Sequence, residues 1–173
     1  MTGMNWLFKE EPSNYNFDAL VKDKSTVWSG VRNPVAQRNL HAVTKGDRIF
    51  FYHTGDEKQI VGIAKALADA YSDPDNPSGK AAVVDVGPVK KLARPVTLKE
   101  IKADPFFKTF ALVRISRLSV MPVTDAEARG FVVRHYGRRA ADVRPLGAGT
   151  GRVRTRWSWM AVRLSSALRQ LHS

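Results

Sequence analysis

Apolar residues come in short bursts separated by polar turns, and the spacing within each burst predicts its element. Trp6-Leu7-Phe8 predicts an opening strand, which Lys9-Glu10-Glu11-Pro12 closes because proline cannot donate to a sheet ladder. Phe17 to Lys22 predicts a short helix burying Phe17, Leu20 and Val21. A second helix is predicted over Pro34 to Val43, with Val35, Leu40 and Val43 inward, Asn33 as N-cap and Pro34 at its first position. The tight turn Lys45-Gly46-Asp47 leads into Arg48–His53, a strong strand pattern.

From Gln59 to Tyr71 the pattern is double-valued. Ile60, Ile63, Leu67 and Tyr71 would suit a helix face, but Gly62 and the polar turn Thr54 to Lys58 favour a strand. Asp73 to Gly79 is a loop, and Ala81 to Leu92 is β-rich through Val83, Val84, Val86 and Val89. Thr97-Leu98-Lys99-Glu100 is a capping box, so a helix should run from Leu98 to about Ala103 and stop at Asp104-Pro105. A turn or short helix is expected over Phe106 to Ala111, and a strand over Val113 to Val123. The second capping box, Thr124-Asp125-Ala126-Glu127, should open a last helix. Strands interleave with helices too short to cover both faces of a parallel sheet. The expected class is therefore α+β, a mostly antiparallel curved sheet closing towards a barrel with short flanking helices.

Composition narrows the chemistry. The 173 residues are 43% hydrophobic, enough for a real core, and contain no cysteine. Disulfides, thiolate zinc sites and a cysteine nucleophile are thereby excluded, which is compatible with a reducing cytoplasm, the expected location. No apolar run approaches a membrane span, and Met1 to Asn14 lacks the basic and apolar regions of a signal peptide, so no membrane partner is expected. The formal charge of +12 favours a polyanion. It is unevenly spread: from Ala126 onward there are ten Arg, no Lys and two acids, Glu127 and Asp142. The first 125 residues hold twelve Lys and six Arg against 14 acids.

Catalytic templates mostly fail. His41, His53, His135 and His172 are scattered without metal-ligand spacing, and neither a GxSxG elbow nor a Walker loop is present. Gly147-Ala148-Gly149-Thr150-Gly151 lacks the strand and helix of a dinucleotide site and reads as a linker. Glu10 and Glu11 are neighbours on an extended segment, so they point to opposite faces and make a poor acid/base pair.

What remains is aromatic. Trp28-Ser29-Gly30-Val31-Arg32-Asn33 sets an indole, a hinge, a guanidinium and an amide side by side, the groups needed to stack on a flat ring and bond its edge. The same residues also read as a buried Trp before a capped helix. Alternation sends Phe51 and His53 to one face of their strand and Phe50 and Tyr52 to the other. His53 alone reads as a satisfied structural residue, and Arg114 and Arg117, near the next strand, as surface or phosphate-contacting side chains.

Six blocks then fall in order: Trp6 to Pro12, Trp28 to Asn33, Gly46-Asp47 with Phe50 to His53, Ile60 to Ile63, Tyr71 to Pro74, and Ser116 to Thr124. Together they resemble the EVE domain of the PUA-like superfamily, from about Asn5 to Glu127. The resemblance implies a small PUA-like pseudobarrel that binds nucleic acid without catalysis or cofactor, holding a modified base of DNA or RNA in an aromatic-walled pocket. On matching positions it implies Trp28 as a stacking wall, Ser29 as a hydrogen-bonding neighbour and Arg32 and Asn33 as the rim. Tyr52 and His53 would close the pocket and Lys9 would sit near its mouth. Glu10 stands where the family usually has Ser, Pro34 replaces a usual aromatic and Met121 a frequent Gln.

The organisation expected is a domain over residues 1–127 and a basic, Arg-rich segment over 128–173. The change from Lys to Arg coincides with the loss of resemblance, so the segment reads as a frame-shifted tail with no selected fold. The rival reading is a basic arm that strengthens polyanion binding. Two other functions stay open. One is a nucleotide-processing enzyme with His53 as base and Glu10 or Glu11 as partner. The other is a non-specific polyanion binder whose binding would survive Trp28→Ala; a base reader would lose binding on that change while keeping its fold.

Overall fold

The computed structural model describes residues 3–76 and 79–132. Seven strands form one curled sheet: β1 (Asn5–Glu10), β2 (Thr26–Trp28), β3 (Arg48–His53), β4 (Gln59–Ala66), β5 (Tyr71–Ser72), β6 (Ala82–Thr97) and β7 (Val120–Val123). The order is β2-β6-β4-β3-β1-β7, with β5 also paired to β6. The β1–β3 pair is parallel and every other pair is antiparallel. The long strand β6 changes register against β4 between Ile60 and Gly62 and again between Ile63 and Ala64. Such irregularities bend and twist a strand, which lets the sheet curl.

The short helices are α1 (Phe17–Asp23), α2 (Pro34–His41), α3 (Leu98–Ala103), α4 (Ala111–Arg114) and α5 (Asp125–Gly130). Both capping boxes form as the sequence predicts, Thr97 with Glu100 and Thr124 with Glu127. Asn33 caps α2 by accepting from the Val35 and Ala36 amides at 2.9 and 3.0 Å.

Several expectations are corrected. Val113 to Val123 is not one strand: α4 occupies its start, and only Val120–Val123 pairs, against β1. Val113 lies inside α4 and Ile115, just past it, is half-exposed, so β-branched composition there did not mark a strand. Val21 and Val35 face solvent, and α2 ends at His41. Ala36 and Leu40, four residues apart, are its inward residues, so Leu40 is buried as expected and Val35 falls one position off the buried stripe. Strand β1 runs on through Lys9 and Glu10, held by parallel pairing to β3 before Pro12 can break it. Strand β6 likewise runs past Leu92 to Thr97, and Thr26–Trp28 is a strand that alternation over three residues could not reveal.

The parallel register sets Phe8 beside Phe51 and Lys9 beside Tyr52. One sheet face therefore collects Phe8, Trp28, Phe51 and Phe17, with ring centroids 5.1 to 5.4 Å apart. The other collects Phe50 with Phe131, whose ring stacks on Phe107 at 4.8 Å. At one end of the sheet, buried Asp47 accepts from the Trp6 indole and the Met4 amide, both at 2.8 Å. The Thr44 amide donates to the same carboxylate at 3.0 Å, so the buried charge is hydrogen-bonded as burial requires.

Candidate functional site

Trp28 is the last residue of β2, and its backbone pairs with Val84 of β6. Its ring tilts by 50° on Phe8 and meets Phe51 edge-on at 89°, leaving only 6% of the residue exposed. Trp28 is thus first a member of the core. The chain then turns at Gly30, whose φ of +72° an L side chain would adopt only with strain. Ser29, Arg32 and Asn33 are exposed on this loop, while Val31 packs against the core. Gln37 of α2 ties the loop down, donating to the Val31 carbonyl at 2.6 Å and accepting from the Ala82 amide at 2.8 Å. Asn33 spends its side-chain oxygen on the cap, so it fixes the rim; Arg32 has no hydrogen-bond or ion-pair partner among the described residues.

His53 lies on the Trp28 face, its ring 5.7 Å from Phe51. Nε2 accepts from the Phe17 amide at 3.1 Å, so Nδ1 carries the proton that reaches Glu57 at 2.7 Å. That bond from His53 is the first cause holding the Glu57 carboxyl below the usual carboxylate range. Both ring nitrogens are occupied, and His53 pins α1 to β3. Beside it a cleft of about 440 Å³ is lined by Asn16, Asp18, Glu57, Gln59 and Lys91 among others. By alternation Glu10 belongs to the Phe8 face. Its carboxylate turns back to accept from the Glu11 amide at 2.9 Å.

Lys9 and Tyr52 are on the opposite face of the sheet. The Lys9 ammonium lies 5.8 Å from the Tyr52 ring centroid and donates to the Ser116 carbonyl at 2.7 Å. Burial lowers the Lys9 pKa and pushes the Tyr52 phenol up to about 12. Both line a second cleft, of about 190 Å³. Arg114 ends α4, Arg117 follows in the next turn, and both are exposed.

The nine candidate residues therefore do not make one pocket. Trp28 and His53 belong to one face and Lys9 and Tyr52 to the other, while Ser29, Arg32 and Asn33 are exposed on the loop after β2; that loop, Trp28, Arg114 and Arg117 line neither described cleft. Closing a single pocket with both Tyr52 and His53 fails because adjacent strand residues point opposite ways. Sequence reasoning missed Phe8, Phe17 and Phe51 as the bed beneath Trp28, and Glu57 as the His53 partner. The alternation of β1 and β3 held the signal for Phe8 and Phe51; the pairing of those strands did not follow from it. Among the described residues no group of three or more His, Asp or Glu could hold a metal ion. The glycine run, His135, His172 and all tail arginines but Arg129 lie outside the described residues.

A curled mixed sheet of this order, with short capping helices, is a PUA-like half-barrel. The EVE domain family model matches residues 4–133, and the chain belongs to that family. It is similar to thymocyte nuclear protein 1 of Gallus gallus, 31% identical over 163 residues, covering 73% of this chain and 66% of that relative's length. Among solved structures, a Rhodopseudomonas palustris protein is 44% identical with a TM-score of 0.70, over 73% of this chain and 88% of its own. Human thymocyte nuclear protein 1, solved in complex with 5-methylcytosine-containing DNA, is 28% identical with a TM-score of 0.68, over 76% and 97% of the two chains.

Proposed function

We propose that this EVE domain is a non-catalytic module that binds nucleic acid and reads a modified base, in DNA first and RNA second. The observation that carries the reading is the Trp28–Asn33 segment. An aromatic bed supports an exposed loop whose Arg32 guanidinium has no partner among the described residues. An exposed guanidinium with no partner among the described residues, on a loop anchored by a buried aromatic cluster, suits the phosphate or the polar edge of an unstacked nucleotide. The complex of the human relative with 5-methylcytosine DNA supports the same reading. His53 gives no support to the enzyme alternative: a general base needs an open nitrogen, and both of its nitrogens are engaged.

The test is calorimetric titration of the whole chain with short DNA and RNA strands, each with one 5-methylcytosine or one unmodified cytosine. Tighter binding of a modified strand, retained at moderate salt, is expected. Equal affinity for modified and unmodified strands, with a steep common loss as salt rises, would leave only a polyanion binder.

A further inference from the structure

The cleft on the face opposite Trp28 has its own chemistry. Its wall carries Lys9, Lys58 and Lys102 and no acidic residue. Lys9 comes from β1, Lys58 from the turn before β4 and Lys102 from α3, so three elements converge. Among the described residues none of the three is paired with a carboxylate. Lys9 spends one N–H on the Ser116 carbonyl, a neutral partner that leaves its charge uncompensated. The Tyr52 hydroxyl adds an independent sign. Tyr52 is 2% exposed, lines the cleft, and has no hydrogen-bond partner among the described residues. Buried hydroxyls are satisfied in the great majority of structures, so an orphan phenol facing a cleft points to an absent acceptor.

We propose that this cleft is an anion site for a phosphoryl group, separate from the loop that follows Trp28, none of whose residues lines it. A tetrahedral phosphate offers acceptors in several directions at once, matching three ammonium groups and one phenol that approach from different elements. The phosphoryl group can come from a terminal monoester or from a backbone diester.

The site is tested on the whole chain by following the Tyr52 ring resonances in ¹H–¹³C NMR spectra. Inorganic phosphate stands for the monoester and dimethyl phosphate for the diester. A saturable shift of Tyr52 with either probe is expected, and the tighter probe assigns the source. Lys102→Gln removes one charged contact and should weaken that binding about tenfold. Lys45→Gln, an equal change of net charge at an exposed position outside the cleft, should not. The proposal is overturned if neither probe moves Tyr52, or if Lys45→Gln weakens binding as much as Lys102→Gln. The nucleoside 5-methyl-2′-deoxycytidine carries no phosphate, so its binding tests base reading alone and either proposal can fail without the other.

Discussion

Trp28→Ala is the obvious substitution for testing base reading, and the packing says it cannot be interpreted alone. Trp28 is 6% exposed and rests on Phe8 and Phe51 at 5.1 and 5.4 Å. Cutting a buried Trp to Ala costs about 3–5 kcal/mol, from lost transfer energy and the cavity left behind. A domain of this size is stable by only about 5–15 kcal/mol, so the variant would lose from about a fifth to nearly all of its stability. A buried Trp28 therefore cannot be cut to Ala without cost to the fold, contrary to the expectation from the sequence. Arg32→Ala separates the two effects. Arg32 is exposed and unpartnered among the described residues, so its removal should change stability by no more than about 0.5 kcal/mol. If its guanidinium bonds the ligand, the loss is about 1.5–3 kcal/mol, or roughly 10- to 150-fold in affinity. Urea unfolding and calorimetry with the 5-methylcytosine strand should be run on both variants. Arg32→Ala with wild-type affinity would remove the loop from the interface. Trp28→Ala with a wild-type urea midpoint would refute the packing account.

Two further predictions follow from geometry. A methyl added at Gly62 would sit 2.4 to 2.6 Å from three ring carbons of Phe17, so Gly62→Ala must displace that ring. A cost of about 1–3 kcal/mol in urea unfolding is expected, and an unchanged midpoint would mean that the tip of the Phe17 ring does not pack against Gly62. For Tyr52 the sign is set by burial, which raises the phenol from 10.0 to about 12. A group whose folded pKa is raised contributes its stability fully below about pH 10 and loses it as pH climbs towards about 12. Absorbance titration near 295 nm should show a last tyrosine phase close to 12 that Tyr52→Phe removes; a variant with that phase intact would contradict the assignment.

The legible parts of this sequence were those in which one local signal decides the outcome. The two capping boxes placed α3 and the start of α5, and the aromatic run Arg48–His53 gave β3 to the residue. Those signals need no distant partner. Failures occurred where a partner decides. Thr26–Trp28 is a strand because Val84–Val86 lies beside it, and Lys9-Glu10 stays extended because β3 runs parallel to β1. The site divides along the same line. Sequence put Trp28, Arg32 and Asn33 together because they are adjacent, and the structure keeps them so. It also joined Lys9 and Tyr52 to that set, although alternation within β3 already separated Tyr52 from His53. The parallel register then carries Lys9 to the Tyr52 side, where Lys58 and Lys102 arrive from elements far apart in the chain. The two faces differ in kind, with flexible lysines around the cleft on one and a stiff aromatic cluster on the other. The thickness of one sheet between them means that substitutions in the lysine cleft should leave the packing under Trp28 undisturbed.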